Sequence, residues 1–142
     1  MERLEEQNTD EQTVLTISLD SLMQKNKRLH NTHAGERCFI LGNGPSLRKI
    51  DLSILQNEFV FTVNFFTNAD GWEKVKSNAH VWADPASWDL SNKSNINLQN
   101  VIDVYHKMAS QHAIMFARLE AIPFIKTFRL DEIIDIYYLF AA

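Results

Sequence analysis

Arg37-Cys38-Phe39-Ile40-Leu41-Gly42-Asn43-Gly44-Pro45-Ser46-Leu47 is the stretch that decides how this chain is read. Cys38 to Leu41 is a short, wholly apolar run with charge before it and glycine after it. Such a run reads as a strand buried on both faces, the usual state in a parallel sheet. The Gly-Asn-Gly-Pro-Ser that follows reads as a sharp turn from strand into helix. Gly42 and Gly44 permit positive φ and let the backbone approach a ligand with no Cβ in the way. Pro45 suits a first helical position, where its missing N–H would have no partner in any case. The N–H groups at a helix start, with the helix dipole behind them, attract an anion. Ser46 adds a hydroxyl there, and Asn43 an amide that can donate to a phosphate or ribose oxygen. The dinucleotide fingerprint Gly-x-Gly-x-x-Gly is not satisfied, since Leu47 stands at the third glycine, and no Gly-Lys-Ser/Thr follows to make a Walker A loop. A tight strand-to-helix turn with no ligand is the alternative reading of the same residues.

Working outward, the period changes on both sides of this motif. Upstream, Val14, Leu15, Ile17, Leu19, Leu22 and Met23 suit a helix within Thr13–His30, followed by a polar connector containing Gly35. Downstream, Leu47–Leu55 reads as a short helical stretch that Asp51 and Ser53 cap or break. Phe59–Val63 is a second strand rich in β-branched and aromatic residues, ending at Asn64. A small helix or turn over Asp70–Ser77 leads to a third strand at Ala79–Ala83, which stops at Asp84-Pro85 because proline denies the ladder a donor. Ser87–Asn97 is Asn/Ser-rich and reads as a loop. Leu98–Gln111 has helical spacing, Ile114–Phe116 is a fourth strand, and Leu119–Phe128 holds a small helix with Pro123 near its start. Ile134–Phe140 reads as a fifth strand.

Strand and helix alternate with short connections. The expected class is therefore α/β: a Rossmann-like open, mainly parallel sheet of about five strands with flanking helices. Residues 1–35 form an N-terminal helix and connector, and residues 36–142 a nucleotide-binding domain. That domain is expected to be incomplete, because an apolar strand with only Ala141-Ala142 beyond it lacks the elements that normally cover it.

At 142 residues the chain is long enough to bury a genuine core. A net charge of −4 argues against a nucleic-acid binder, which shows a basic face. No stretch approaches the ~20 apolar residues of a transmembrane helix. The acidic, polar start Met-Glu-Arg-Leu-Glu-Glu is unlike a secretory signal, and the single Cys38 fits a reducing compartment. A cytoplasmic location is the expectation, and the Asn-Lys-Ser sequon at Asn92 is then accidental.

The string Ile40-Leu41-Gly42-Asn43-Gly44-Pro45-Ser46-Leu47-Arg48-Lys49-Ile50-Asp51-Leu52 resembles the opening motif of two related groups. One is the bacterial CMP-sialic acid sialyltransferases of lipooligosaccharide synthesis. The other is a family similar to the archaeal 6-hydroxymethylpterin diphosphokinase, which includes glycosyltransferases of surface polysaccharide. Both groups also carry an Asn soon after the second strand and an Asn/Asp-Pro after the third, places held here by Asn64 and Asp84-Pro85. The resemblance covers roughly residues 36–140. It implies that Asn43, Gly44, Pro45 and Ser46, with Gly42, line the nucleotide phosphates. It puts Asn64 beside the nucleotide or transferred group and Asp84 at the ribose or base. The sialyltransferases have Asn where Asp84 stands, and an acid there suits a ribose diol or a metal-held diphosphate. Their catalytic histidine and tyrosines lie downstream of this region, so the resemblance assigns no catalytic residue.

The function so implied is the nucleotide-binding part of a glycosyltransferase that uses a nucleotide-sugar donor and a glycan acceptor, with no permanently bound cofactor and no metal. Two alternatives stand beside it. One is diphosphoryl transfer from ATP and Mg²⁺ to a pterin-like alcohol, with Asp84 and Asp89 as the carboxylates placed for the ion. The other is a truncated remnant or interaction module. Nothing in the sequence fixes an oligomeric state.

Other residues read as structural. His30, His33 and Glu36 have metal-like spacing but run into a connector. His80 is a half-buried strand residue, and His106 and His112 flank a helix end where they complement the dipole. Cys38 is a small buried hydrophobe. Trp82 and Trp88 bracket the Asp84-Pro85 corner, where they pack or stack on a ligand ring. Arg48 and Lys49 either pair with phosphate or are simply exposed.

Overall fold

The structure, a computed structural model, describes residues 19–140. Its contacts divide the chain into two compact units, residues 1–34 and 35–142. In the first, residues 19–26 are helical and pass into a 3₁₀ turn, Lys27–Leu29. The part of the expected Thr13–His30 helix before residue 19 lies outside the described residues.

The second unit is built on a five-stranded, all-parallel sheet: β1 (Cys38–Leu41), β2 (Phe59–Val63), β3 (Ala79–Val81), β4 (Ile114–Arg118) and β5 (Ile136–Leu139). Helices flank it, as an open α/β Rossmann-like fold requires. The strands lie in the order β1-β2-β3-β4-β5. Their register pairs Leu41 with Thr62, Val63 with Val81, Val81 with Phe116 and Phe116 with Tyr137. Right-handed crossovers that always step in one direction place their connections on one face. That face carries the core. Leu47, Leu52, Leu55, Val60, Phe66 and Val75 form one buried cluster, with Phe39, Leu41 and Trp72 packed against it. The helix Leu98–Ser110 buries Val101, Val104, Tyr105 and Met108, the periodic side of an amphipathic helix. Its Tyr105 stacks on Trp82 and meets Phe124 of the short helix Ile122–Thr127. Phe66 is fully buried, so cutting it to alanine costs ~3–5 kcal/mol.

The opposite face differs from the sequence-based expectation. β1 is an edge strand whose residues alternate between exposed and half-buried, and Ile40 is 74% exposed. It is not buried on both faces, and Cys38 is exposed rather than a core residue. The physical reason is the strand order. A doubly wound sheet puts its first strand in the middle and covers both sides, whereas this order leaves β1 at the margin with its connections on one side. Across that second face runs a chain of ring contacts, Phe59 to Phe61, Phe61 to Phe116 and Phe116 to Tyr137, at 5.7–5.9 Å between centroids. Phe61, Val63, Val81, Ile114 and Phe116 are only half-buried there. Apolar runs on central strands would normally be covered completely.

Among the described residues, no helix is long and apolar enough to cross a membrane.

Candidate functional site

The Gly42–Ser46 turn leaves the carboxyl end of β1 with all five residues exposed. Gly42 and Gly44 do not take the positive φ expected of them; Gly35 and Gly71 are the glycines in the left-handed region. Gly44 is extended, with φ −85° and ψ 159°. A Cβ built on Gly42 meets nothing within 4 Å, and one on Gly44 meets only the Ser46 Oγ at 3.7 Å. The fold itself therefore makes no demand for glycine at either place. What their bareness leaves open is the space in front of the turn.

Pro45–Lys49 is a five-residue 3₁₀ turn, and Leu52–Leu55 is a second one capped by Asp51, whose carboxylate accepts from the Ser53 N–H at 3.0 Å and hydroxyl at 2.7 Å. The longer helix expected after the turn is thus broken at Asp51, which competes for the backbone as aspartate does in caps. A single 3₁₀ turn carries little macrodipole, so anion attraction here rests on the individual donors. The Leu47 N–H donates to the Gly44 carbonyl at 3.1 Å and is used up. The N–H groups of Asn43, Gly44 and Ser46 meet no acceptor among the described residues, and neither does the Ser46 hydroxyl. Arg48 and Lys49 follow on the exposed side of the same turn.

Asn64 adopts the left-handed conformation, φ 46°, at the end of β2. Asparagine tolerates it because its side chain bonds locally. Its Oδ1 accepts from the backbone N–H of Ala83 at 2.9 Å and of Asp84 at 3.3 Å, bracing the exit of β3. The other end of the amide, Nδ2, has no protein partner among the described residues. Asp84 in turn caps the 3₁₀ turn Pro85–Trp88: its Oδ1 accepts from the Ala86 N–H at 3.0 Å, and its carbonyl from the Ser87 hydroxyl at 2.7 Å. Sequence reasoning set structural and functional roles for Asn64 and Asp84 against each other. The structure engages one side-chain atom of each in a structural bond and leaves the other side-chain polar atom without a partner among the described residues.

Because the strands follow in sequence order, the turn, Asn64 and Asp84 stand side by side along the carboxyl edge, spaced by about 4.8 Å per strand. Beyond them, between the turn after β3 and the turn after β4, lies a shallow cavity of about 480 Å³ lined by residues including Trp88, Asp89 and Glu120. Glu120 and Pro123 are lining residues that sequence reading missed. They come from the far side of a helix and a strand, and no local spacing links them to Trp88. Asp89 is held below the usual carboxylate range, first by the Ser91 hydroxyl at 2.5 Å and also by the N–H groups of Ser91 and Lys93. With both oxygens so engaged, and Asp84 offering one, these two residues fit a Mg²⁺ ion poorly. Among the described residues no three His, Cys, Asp or Glu side chains gather into a metal-binding group, the His30, His33 and Glu36 set included.

His80 is fully buried, more so than expected, at the base of this edge. Its Nδ1 lies 2.8 Å from the Thr62 hydroxyl, which also meets the Ser77 hydroxyl at 2.7 Å. Its Nε2 and the Trp82 Nε1 are buried with no hydrogen-bond partner among the described residues. Burial pushes the imidazole down to about 4, so it is neutral at pH 7. Trp82 packs edge-on against His80 and Phe65 and is fully buried, which takes it out of reach of any ligand. Trp88 remains half-buried.

Comparison with protein-family models, with curated proteins and with solved structures returned no match. The likeness of residues 40–52, Asn64 and Asp84-Pro85 to the two families rests on those residues themselves.

Proposed function

We propose that the carboxyl edge of this sheet binds the phosphates of a nucleotide, and that the domain serves transfer of a glycosyl group from a nucleotide-sugar to a glycan acceptor. The observation that carries the first part is the set of unengaged donors on an exposed, Cβ-free turn: the N–H groups of Asn43, Gly44 and Ser46 and the Ser46 hydroxyl. Unengaged backbone amides on an exposed turn can receive an anion without a cationic side chain. Asn64 Nδ2 adds a donor from the next strand, and Asp84 a carboxylate oxygen placed to accept from a ribose diol. In glycosyl transfer such donors stabilise the charge that develops on the leaving phosphate. The glycosyl reading draws on the motif resemblance, and no residue here is assigned to catalysis.

Calorimetric titration with CMP, UDP, GDP and ATP tests it. Binding of at least one of them, lost at raised salt and weakened in Asn64→Asp, is the expected result. Absence of binding to all four at millimolar concentration overturns it.

A further inference from the structure

The cavity past Asp84 is not used by the phosphate reading, and its lining says what it would hold. Trp88, Leu90 and Pro123 give it an apolar, partly aromatic wall; Asp89, Ser91 and Glu120 give it a polar rim, and among the described residues no lysine or arginine lines it, Arg118 standing behind the rim as the partner of Glu120. The geometry points to this cavity as the seat of the nucleotide's base, stacked on Trp88, with Glu120 accepting from an exocyclic amino group. This inference rests on the phosphate reading of the Gly42–Ser46 turn.

Position supports it first. The cavity lies two to three strands from that turn along the sheet edge, or ~10–14 Å. That is about the length of a nucleoside diphosphate from its terminal phosphate to its base. Asp84 stands between the two, where the ribose would fall. The rim supports it next. Asp89 spends its oxygens on Ser91 and Lys93 and so holds the loop. Glu120 is the exposed carboxylate; the Arg118 guanidinium donates to both its oxygens, at 2.8 and 3.3 Å, and an exposed pair of this kind exchanges partners at little cost. A carboxylate only accepts hydrogen bonds. Cytosine, adenine and guanine offer it an amino group, while uracil presents two carbonyl oxygens beside a single N–H. The lining therefore selects against uridine nucleotides. Stacking on one indole adds sequence-tolerant affinity for any base.

Titrate the chain with pyrophosphate, CDP, ADP, GDP and UDP, and with cytidine and guanosine while following the Trp88 indole N–H by NMR. Pyrophosphate is expected to bind, the best amino-bearing nucleotide to bind at least tenfold tighter than pyrophosphate and than UDP, and the nucleosides to shift the Trp88 signal. Trp88→Ala, shown folded by its thermal melt, should cost nucleotide affinity about tenfold and leave pyrophosphate untouched. Glu120→Gln, which keeps an acceptor and gains a donor, should narrow the preference over UDP. Nucleotides no tighter than pyrophosphate, or full affinity in a folded Trp88→Ala, would overturn the base site and leave the phosphate reading standing. Pyrophosphate failing to bind sinks the phosphate reading. If the nucleosides then leave Trp88 unmoved, the base site falls with it.

Discussion

Replacing Gly44 by alanine separates a glycine kept for the fold from one kept for a ligand. Gly44 has φ −85° and ψ 159°, a backbone conformation open to any L-residue. Its added methyl would meet one protein atom, the Ser46 Oγ, at 3.7 Å, an ordinary van der Waals distance. Folding thus gains nothing from the glycine, while the unfolded chain is freer for having it. Alanine at a compatible position stabilises by roughly 0.4–1 kcal/mol through the unfolded state. For a chain of this size that is a rise in Tm of about 1–5 °C. Ligand binding should move the other way, because the methyl occupies the space through which a phosphate reaches the Gly44 and Ser46 amides. A tenfold loss of affinity, ~1.4 kcal/mol, is the least expected. Thermal melts without ligand, paired with calorimetric titration of the nucleotide that the wild type binds best, measure both quantities on one sample. Gly42→Ala, whose methyl meets nothing within 4 Å, is the companion variant. A fall in Tm would refute the reading of the turn's geometry. A higher Tm with unchanged affinity would refute the turn as a binding site.

Asn64→Asp keeps the side-chain oxygen that braces Ala83 and Asp84 but turns the free Nδ2 donor into an acceptor, so Tm should hold while nucleotide affinity drops at least tenfold. Loss of stability comparable to that of Asn64→Ala would show that the brace needs the amide. His80, held near 4 in the folded state against about 6.5 when unfolded, takes up its proton only on unfolding. Stability should therefore be intact above pH 6.5 and fall as the pH drops from there to about 4, by ~3 kcal/mol in all. Denaturant titrations of wild type and His80→Gln across that range test this, and equal slopes in the two would contradict it. Cys38, exposed at the sheet edge, should react with a thiol reagent in the native state at close to the rate of a free thiol, and protection until unfolding would place it back in a core.

How far the sequence could be read follows from which signals are local. Phe59–Val63, Leu98–Gln111 and Ile134–Phe140 were legible because one element's own period or β-branched content marks it, and the observed β2, helix Leu98–Ser110 and β5 fall within those stretches. Pro123 near a helix start was legible for the same reason, whereas β3 ends at Val81, short of the expected stop at Asp84-Pro85. The burial of β1 was not. Cys38-Phe39-Ile40-Leu41 is equally apolar in the middle of a sheet or at its edge, and strand order decides which. The αL conformation of Asn64 was likewise hidden, although asparagine after a strand is its usual carrier. The Trp88–Glu120 cavity joins residues from two separate crossovers and leaves no trace at any fixed spacing.

The strand order also sets what kind of site this edge can be. In a doubly wound sheet the order reverses, two connections diverge, and the ligand falls into the crevice between them. Here no reversal occurs among the five strands, so the carboxyl ends of β1 to β4 line up as a shelf rather than part into a crevice. A shelf holds an extended ligand only by spacing its contacts along it. That is how the free amides at β1, the Asn64 amide at β2, the Asp84 carboxylate at β3 and the Trp88–Glu120 cavity at β3 and β4 are spread. The same order leaves the aromatic row Phe59–Phe61–Phe116–Tyr137 on the face away from the crossovers. One topological choice thus accounts for the exposed β1, the half-buried ring contacts and the linear layout of the candidate site.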